Sequence, residues 1–170
     1  NLLLRDLDEL VNQQLAKMLF ANPQRIDYYD RYQEIIDAYN AEQNRATIEK
    51  TFMDLMELAS SLDTEQQRYV REGFSSDEEL SVYDLLFSEN LTKQEIETIK
   101  KVSVDLLTKI KQQIAKLDHW TDKQETKAIV DNLIRKTLWQ ELPNSYDVSD
   151  IQTYQKKIYE YVYMRYPEVA

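Results

Sequence analysis

The chain has 170 residues with one glycine, three prolines and no cysteine, and 31 acidic against 21 basic side chains leave a net charge of −10. One glycine is too few for a P-loop, a Rossmann fingerprint or a series of primed hairpin turns, and the lack of cysteine excludes disulfides, thiolate zinc sites and iron–sulfur clusters. A chain of this length buries about 70% of its unfolded surface without such staples, so composition predicts an all-α fold, an irregular bundle of about seven helices around a single core.

From 2 to about 21, Leu3, Leu7, Leu10, Leu15 and Leu19 recur at helical spacing. Asn22 and Pro23 follow as a cap and a first-turn proline. A second helix carries Ile26, Tyr29, Tyr32, Ile36 and Tyr39, and the pattern blurs over 40–45. A third holds Ile48, Phe52, Leu55, Met56 and Leu62; Asp63 is then placed to cap a short fourth helix that Gly73 ends in the left-handed conformation. Ser75 with Glu78, or Ser76 with Glu79, opens the next helix as a capping box, with Leu80, Tyr83, Leu86 and Phe87 along it. Thr92 with Glu95 starts the longest stretch, in which Ile96, Ile99, Leu106, Ile110, Ile114 and Leu117 recur. Thr121 with Gln124 begins a helix through Val130, Leu133, Ile134 and Leu138, which Leu142-Pro143-Asn144 ends. Ser149 with Gln152 begins the last, with Ile151, Tyr154, Ile158 and Val162 inward.

Charge is uneven. Residues 1–90 hold 8 basic and 19 acidic side chains, and residues 91–170 hold 13 and 12. The acidic total argues against a protein that binds nucleic acid over its whole surface, because phosphate contact rests on Lys and Arg. Lys93, Lys100 and Lys111 on one strip of the long helix, with Lys101, Lys109 and Lys116 beside them, form the one candidate DNA face. Lys101–Asp105–Lys109 also reads as ordinary i,i+4 pairing on a solvated face. Five tyrosines crowd the last helix, among them Tyr159, Tyr163 and Tyr166, a composition suited to a protein interface or to a helix packed on two sides. His119-Trp120 reads as a packed tryptophan beside a surface histidine, and the single histidine cannot make a His-based metal site. No apolar run is long enough to cross a membrane. The absence of cysteine and of a signal peptide fits the cytoplasm, and the start at Asn1 rather than Met reads as a piece of a longer polypeptide.

Residues 75–86, Ser-Ser-Asp-Glu-Glu-Leu-Ser-Val-Tyr-Asp-Leu-Leu, resemble the "s-xx-EEL-a-x-YD-x-L" signature of the C-terminal region of the R subunit of type I restriction–modification enzymes. The flanks follow in the family's order. Tyr39 with Asn44-Arg45 looks like its "Y-N-x-R" segment, loosened by Ala41, Glu42 and Gln43. A helix ending in Glu57-Leu58-Ala59 comes next, then the Lys-rich helix, Asp118 to Trp120 as "D-x-W", and the Leu142-Pro143 turn. The resemblance spans about 39–166. It implies a connector from the motor region over 1–38 and a C-terminal helical assembly domain over 39–170.

The resemblance further implies a parent that hydrolyses ATP with Mg2+, translocates duplex DNA and cleaves it. This part of it is expected to be non-catalytic, with no cofactor or metal of its own. Its expected partners are the methyltransferase and specificity subunits and the rest of its own motor subunit, with duplex DNA as a further candidate and no membrane. Glu78, Glu79, Tyr83, Asp84, Trp120, Tyr159, Tyr163 and Tyr166 are the candidate docking residues, with Tyr83 expected to be buried and Asp84 more exposed. The rival readings are a duplex-guiding module that uses the helix from Lys93 to Lys116, and a generic helical interaction scaffold.

Overall fold

The computed structural model describes residues 2–168. Among them every regular element is helical, in eight α-helices and two 3-10 turns. The packing divides the chain between Asp77 and Glu78 into two compact units. Position 38/39 lies inside a helix of the first unit, and buried apolar side chains fill each unit.

The N-terminal unit holds α1 (Leu2–Ala21), a 3-10 turn (Pro23–Arg25), α2 (Ile26–Ala41), α3 (Arg45–Gln66) and α4 (Arg68–Arg71). Asn22 is buried and caps the 3-10 turn by accepting from the Gln24 amide at 3.1 Å, with Pro23 at the position where a missing N–H costs nothing. Leu4, Val11, Leu15 and Met18 of α1 meet Tyr32 of α2 and Leu55, Leu58 and Leu62 of α3. Leu3 and Leu10, two of the leucines that recur at helical spacing, are 69% and 64% exposed. They precede Leu4 and Val11 by one residue, so each lies about 100° around the helix from the core. Of the other recurring leucines, Leu15 is buried in the core and Leu7 packs against it, so the sequence pattern joined residues of two apolar strips. Met56, Ile26 and Tyr29 likewise face outward.

Asn44 starts α3 by accepting from the Thr47 amide at 2.9 Å. The cap expected at Asp63 is absent: Asp63 stays inside α3 and accepts from Gln14 Nε2 at 3.1 Å. Gly73 does end α4, at φ +85°. Its amide donates to the Val70 carbonyl at 3.0 Å and that of Phe74 to Tyr69 at 2.9 Å, the two bonds of a Schellman motif with a buried Phe74 beyond it.

This unit also buries a charged knot. The Arg25 side chain is 2% exposed. Its Nε donates to Glu65 Oε2 at 2.9 Å, its Nη1 and Nη2 grip Asp77 at 3.0 and 2.5 Å, and Nη1 also reaches the Met18 carbonyl at 3.3 Å. Arg68 shares Glu65 at 2.8 and 3.0 Å. Burial alone would push the Glu65 carboxyl up, but hydrogen bonds from Arg68 and Arg25 outweigh it and hold Glu65 below its ordinary value of 4.5.

The C-terminal unit holds most of α5 (Asp77–Leu86), then α6 (Lys93–Ala115), a 3-10 turn (Trp120–Asp122), α7 (Gln124–Glu141) and α8 (Val148–Arg165). The Thr92–Glu95 capping box forms as expected, with bonds of 3.0 and 3.1 Å. Two other starts differ. Thr121 lies in the 3-10 turn, and α7 has Lys123 at its cap without a side-chain bond; Thr126 instead donates back to the Trp120 carbonyl at 2.6 Å. α8 begins with Asp147 and Asp150 in a reciprocal box at 2.8 and 3.1 Å rather than with Ser149 and Gln152. Aspartate caps as well as serine, and its bond at Asp147 starts the helix before Ser149 can.

The Arg25 knot yields a test. Breaking a buried pair from one side strands the other charge, so Arg25→Ala should lose about 3–5 kcal/mol, measured by urea unfolding at pH 7. Because Glu65 is depressed in the fold, its contribution is complete above about 4.5 and fades as pH falls through its lowered folded value. The gap between wild type and Arg25→Ala should therefore shrink on acidification towards pH 3.

Candidate interaction site

The segment that carries the sequence signature folds as α5, and it is buried around its whole circumference. Leu80, Ser81, Val82, Tyr83, Leu85 and Leu86 are all buried. Phe87, just past its end, is exposed. Neighbours in the same unit hold Glu78, Ser81 and the last carbonyl of this helix. Glu78 accepts from Lys111 Nζ at 3.3 Å and pairs with Arg165 Nη2 at 3.5 Å. Ser81 takes a hydrogen bond with Tyr161. The last carbonyl, Leu86, accepts from the Tyr146 hydroxyl at 2.5 Å. Burial first, then the neighbouring Tyr154, raises the Tyr146 hydroxyl well above its usual range, so it stays a donor.

Tyr83 is buried, as expected, with its ring 5.8 Å from Phe87 and under the Lys100 ammonium at 5.9 Å. Asp84 and Glu79 are half-buried.

Trp120 is fully buried. Its indole N–H donates to the Tyr166 carbonyl at 2.7 Å, which ties the 3-10 turn to the end of α8. The rings of Tyr159 and Tyr163 stand edge-on to it at 6.1 and 5.8 Å. Tyr163 remains 41% exposed, whereas Tyr166 is buried against Tyr161 with ring centroids 6.1 Å apart. Lys111 and Arg165 lie over the Tyr166 ring at 5.5 and 5.6 Å. Burial raises both Tyr161 and Tyr166. His119, at φ 47°, is exposed beside Trp120.

Three of the six lysines are engaged within the unit and three are exposed. Lys100 and Lys111 turn to the tyrosines and to Glu78. Lys109 sits between Asp105 at 2.9 Å and Glu141 at 3.1 Å, whose hydrogen bonds raise its pKa. Lys93, Lys101 and Lys116 are exposed. The strip of Lys93, Lys100 and Lys111 is therefore not presented as a unit: two of its members serve the unit's own interior. Sequence reasoning missed Arg165, Tyr161 and Tyr146. The second lies at the fourth residue before the first on α8, a spacing that puts both on one helix face. Among the described residues no group of three or more His, Asp or Glu side chains could hold a metal ion, and no helix is long and apolar enough to cross a membrane.

The family model described as type I restriction enzyme HindI endonuclease subunit-like, C-terminal, matches residues 1–166. The match takes in both units and reaches back over residues 1–38, which carried no motif. Comparison with the curated proteins and with the solved structures gave no match.

Trp120→Phe keeps a ring in the core but removes the bond to Tyr166, and should cost about 1 kcal/mol or more. Tyr163→Phe removes only an exposed hydroxyl and should stay within about 0.5 kcal/mol of wild type. Urea unfolding followed by circular dichroism measures both.

Proposed function

The chain belongs to the C-terminal family of HindI-like type I restriction endonuclease subunits, and on that premise we propose that it is a non-catalytic assembly domain. It docks the ATP-dependent translocase and endonuclease subunit onto the methyltransferase–specificity core. The observation that carries this reading is the outward apolar surface. Leu3, Leu10, Met53, Met56, Ile129, Trp139 and Met164 are each at least two-fifths exposed, on helices whose other faces already fill a core. Large side chains left in water at this density suit a subunit that is covered in its complex. The tyrosines of α8 contribute less than their number implies, because Trp120 and Tyr161 already engage most of them.

DNA guidance by α6 is the second reading. It rests on Lys93, Lys101 and Lys116, which stand exposed outside the ion pairs that hold Lys109 and Lys111. The C-terminal unit carries 13 basic against 16 acidic side chains, far closer to balance than the N-terminal one.

Removing residues 1–170 from the full endonuclease subunit should abolish its association with the methyltransferase–specificity core while its ATPase activity remains, as measured by gel filtration and phosphate release. Association at full affinity would refute the assembly role. For the second reading, Lys101→Glu with Lys116→Glu should weaken duplex binding and lower the log–log salt slope by about 0.9 for each phosphate no longer neutralised.

A further inference from the structure

The apolar side chains that α1 and α3 turn outward are not scattered. Leu3 lines a groove of about 450 Å3 with Ile48, Glu49, Phe52 and Met53. Phe52 and Ile48 pack beneath against the core, and Met53, 67% exposed, forms the lip. Further along, Gln14 bonds Asp63. Residues 3 and 52, and residues 14 and 63, are separated by the same interval, so α1 and α3 run parallel in one constant register. In that register Leu10 comes opposite Ala59, one turn beyond Met56. Leu3 and Leu10, seven residues apart, share a face of α1. The strip thus continues past the groove along both helices, with two methionines whose unbranched side chains adapt to what they meet.

Charge narrows the occupant. Residues 1–77 carry 15 acidic and 8 basic side chains, a net of −7. Asp6 and Asp63 flank the strip; Glu49 and Arg45 beside it pair with each other at 3.2 Å, as do Lys50 and Asp54 at 2.6 Å, and Lys17 lies at its far end. A second copy would bring −7 against −7, and like charges across an interface cost affinity. Duplex DNA and an anionic membrane are repelled for the same reason. A parallel-helix groove with exposed Leu and Met and an acidic surround fits a helix with apolar residues at i, i+3, i+4 and i+7 and Lys or Arg on its flanks.

We propose that the α1/α3 groove receives such a basic-flanked amphipathic helix from the methyltransferase–specificity core, an inference that rests on the assembly role above. The test uses the full endonuclease subunit in three forms: wild type, Leu10→Asp with Met53→Asp, and lacking residues 1–170. Affinity for the purified core is measured for each, and a benzophenone placed at position 53 is photocrosslinked in the assembled complex and mapped by mass spectrometry. Both substituted residues are exposed, so the fold should persist by circular dichroism. The double variant should bind at least ten-fold more weakly, and the crosslink should fall on a Lys- or Arg-flanked amphipathic helix of a core subunit. Full affinity in the double variant, with binding lost in the deletion, would overturn the groove and leave the assembly role standing. Full affinity in the deletion would overturn both. A crosslink to the subunit's own motor region or to a second copy would overturn the partner.

Discussion

A ten-residue helix buried around its circumference must have its charged end and its last carbonyls satisfied from elsewhere in the protein. α5 meets that demand with Lys111 of α6, Arg165 of α8 and the Tyr146 hydroxyl at the turn between α7 and α8. Much of the C-terminal unit follows from it. Lys111 cannot be offered to a phosphate while it bonds Glu78 and lies over Tyr166. Tyr161 cannot face a partner while it reaches Ser81 and packs on Tyr166. The end of α8 is fixed a second time by the Trp120 indole. Leu80, Tyr83, Leu85 and Leu86 of the signature thus work as core structure, and Glu78 is taken up by the unit's own Lys111 and Arg165, while Glu79 and Asp84 stay half-buried.

The N-terminal unit solves a similar problem around Arg25. Two carboxylates and a backbone carbonyl surround one guanidinium, and Arg68 balances the shared Glu65. Such a knot contributes little net stability compared with an apolar replacement of the same shape, but losing one member is costly. Its position has consequences for packing: it holds the end of α1, the end of α3 and the residue that closes this unit, Asp77. The apolar strip of Leu3, Leu10, Met53 and Met56 lies on the same two helices, which the knot and the Gln14–Asp63 bond keep in register.

Local signals were legible in the sequence. The Thr92–Glu95 box, the Asn22-Pro23 turn and the left-handed Gly73 all depend on neighbours within a few residues, and all stand where the pattern put them. Helical periodicity gave the class, but on α1 it could not decide between Leu3–Leu10 and Leu4–Val11, because both strips are apolar and only the partner helix selects one. Arg25 left no trace in the pattern; its partners lie 40 and 52 residues away. The lysines of α6 fall on neighbouring strips by helical spacing alone, whereas what stands opposite Lys100 and Lys111 is a tertiary fact. The resemblance had its clearest motif in α5, and the family match extends it to residue 1.

Amide hydrogen exchange along α5 in the free protein tests the central claim, that the signature helix is core rather than docking surface. Amides of Val82 to Leu86 should exchange as slowly as those of Leu106 to Ile110 in α6, since both then open only with the unit as a whole. Rapid exchange in α5 while α6 stays protected would contradict the account, and would make the signature helix a separable element available to a partner.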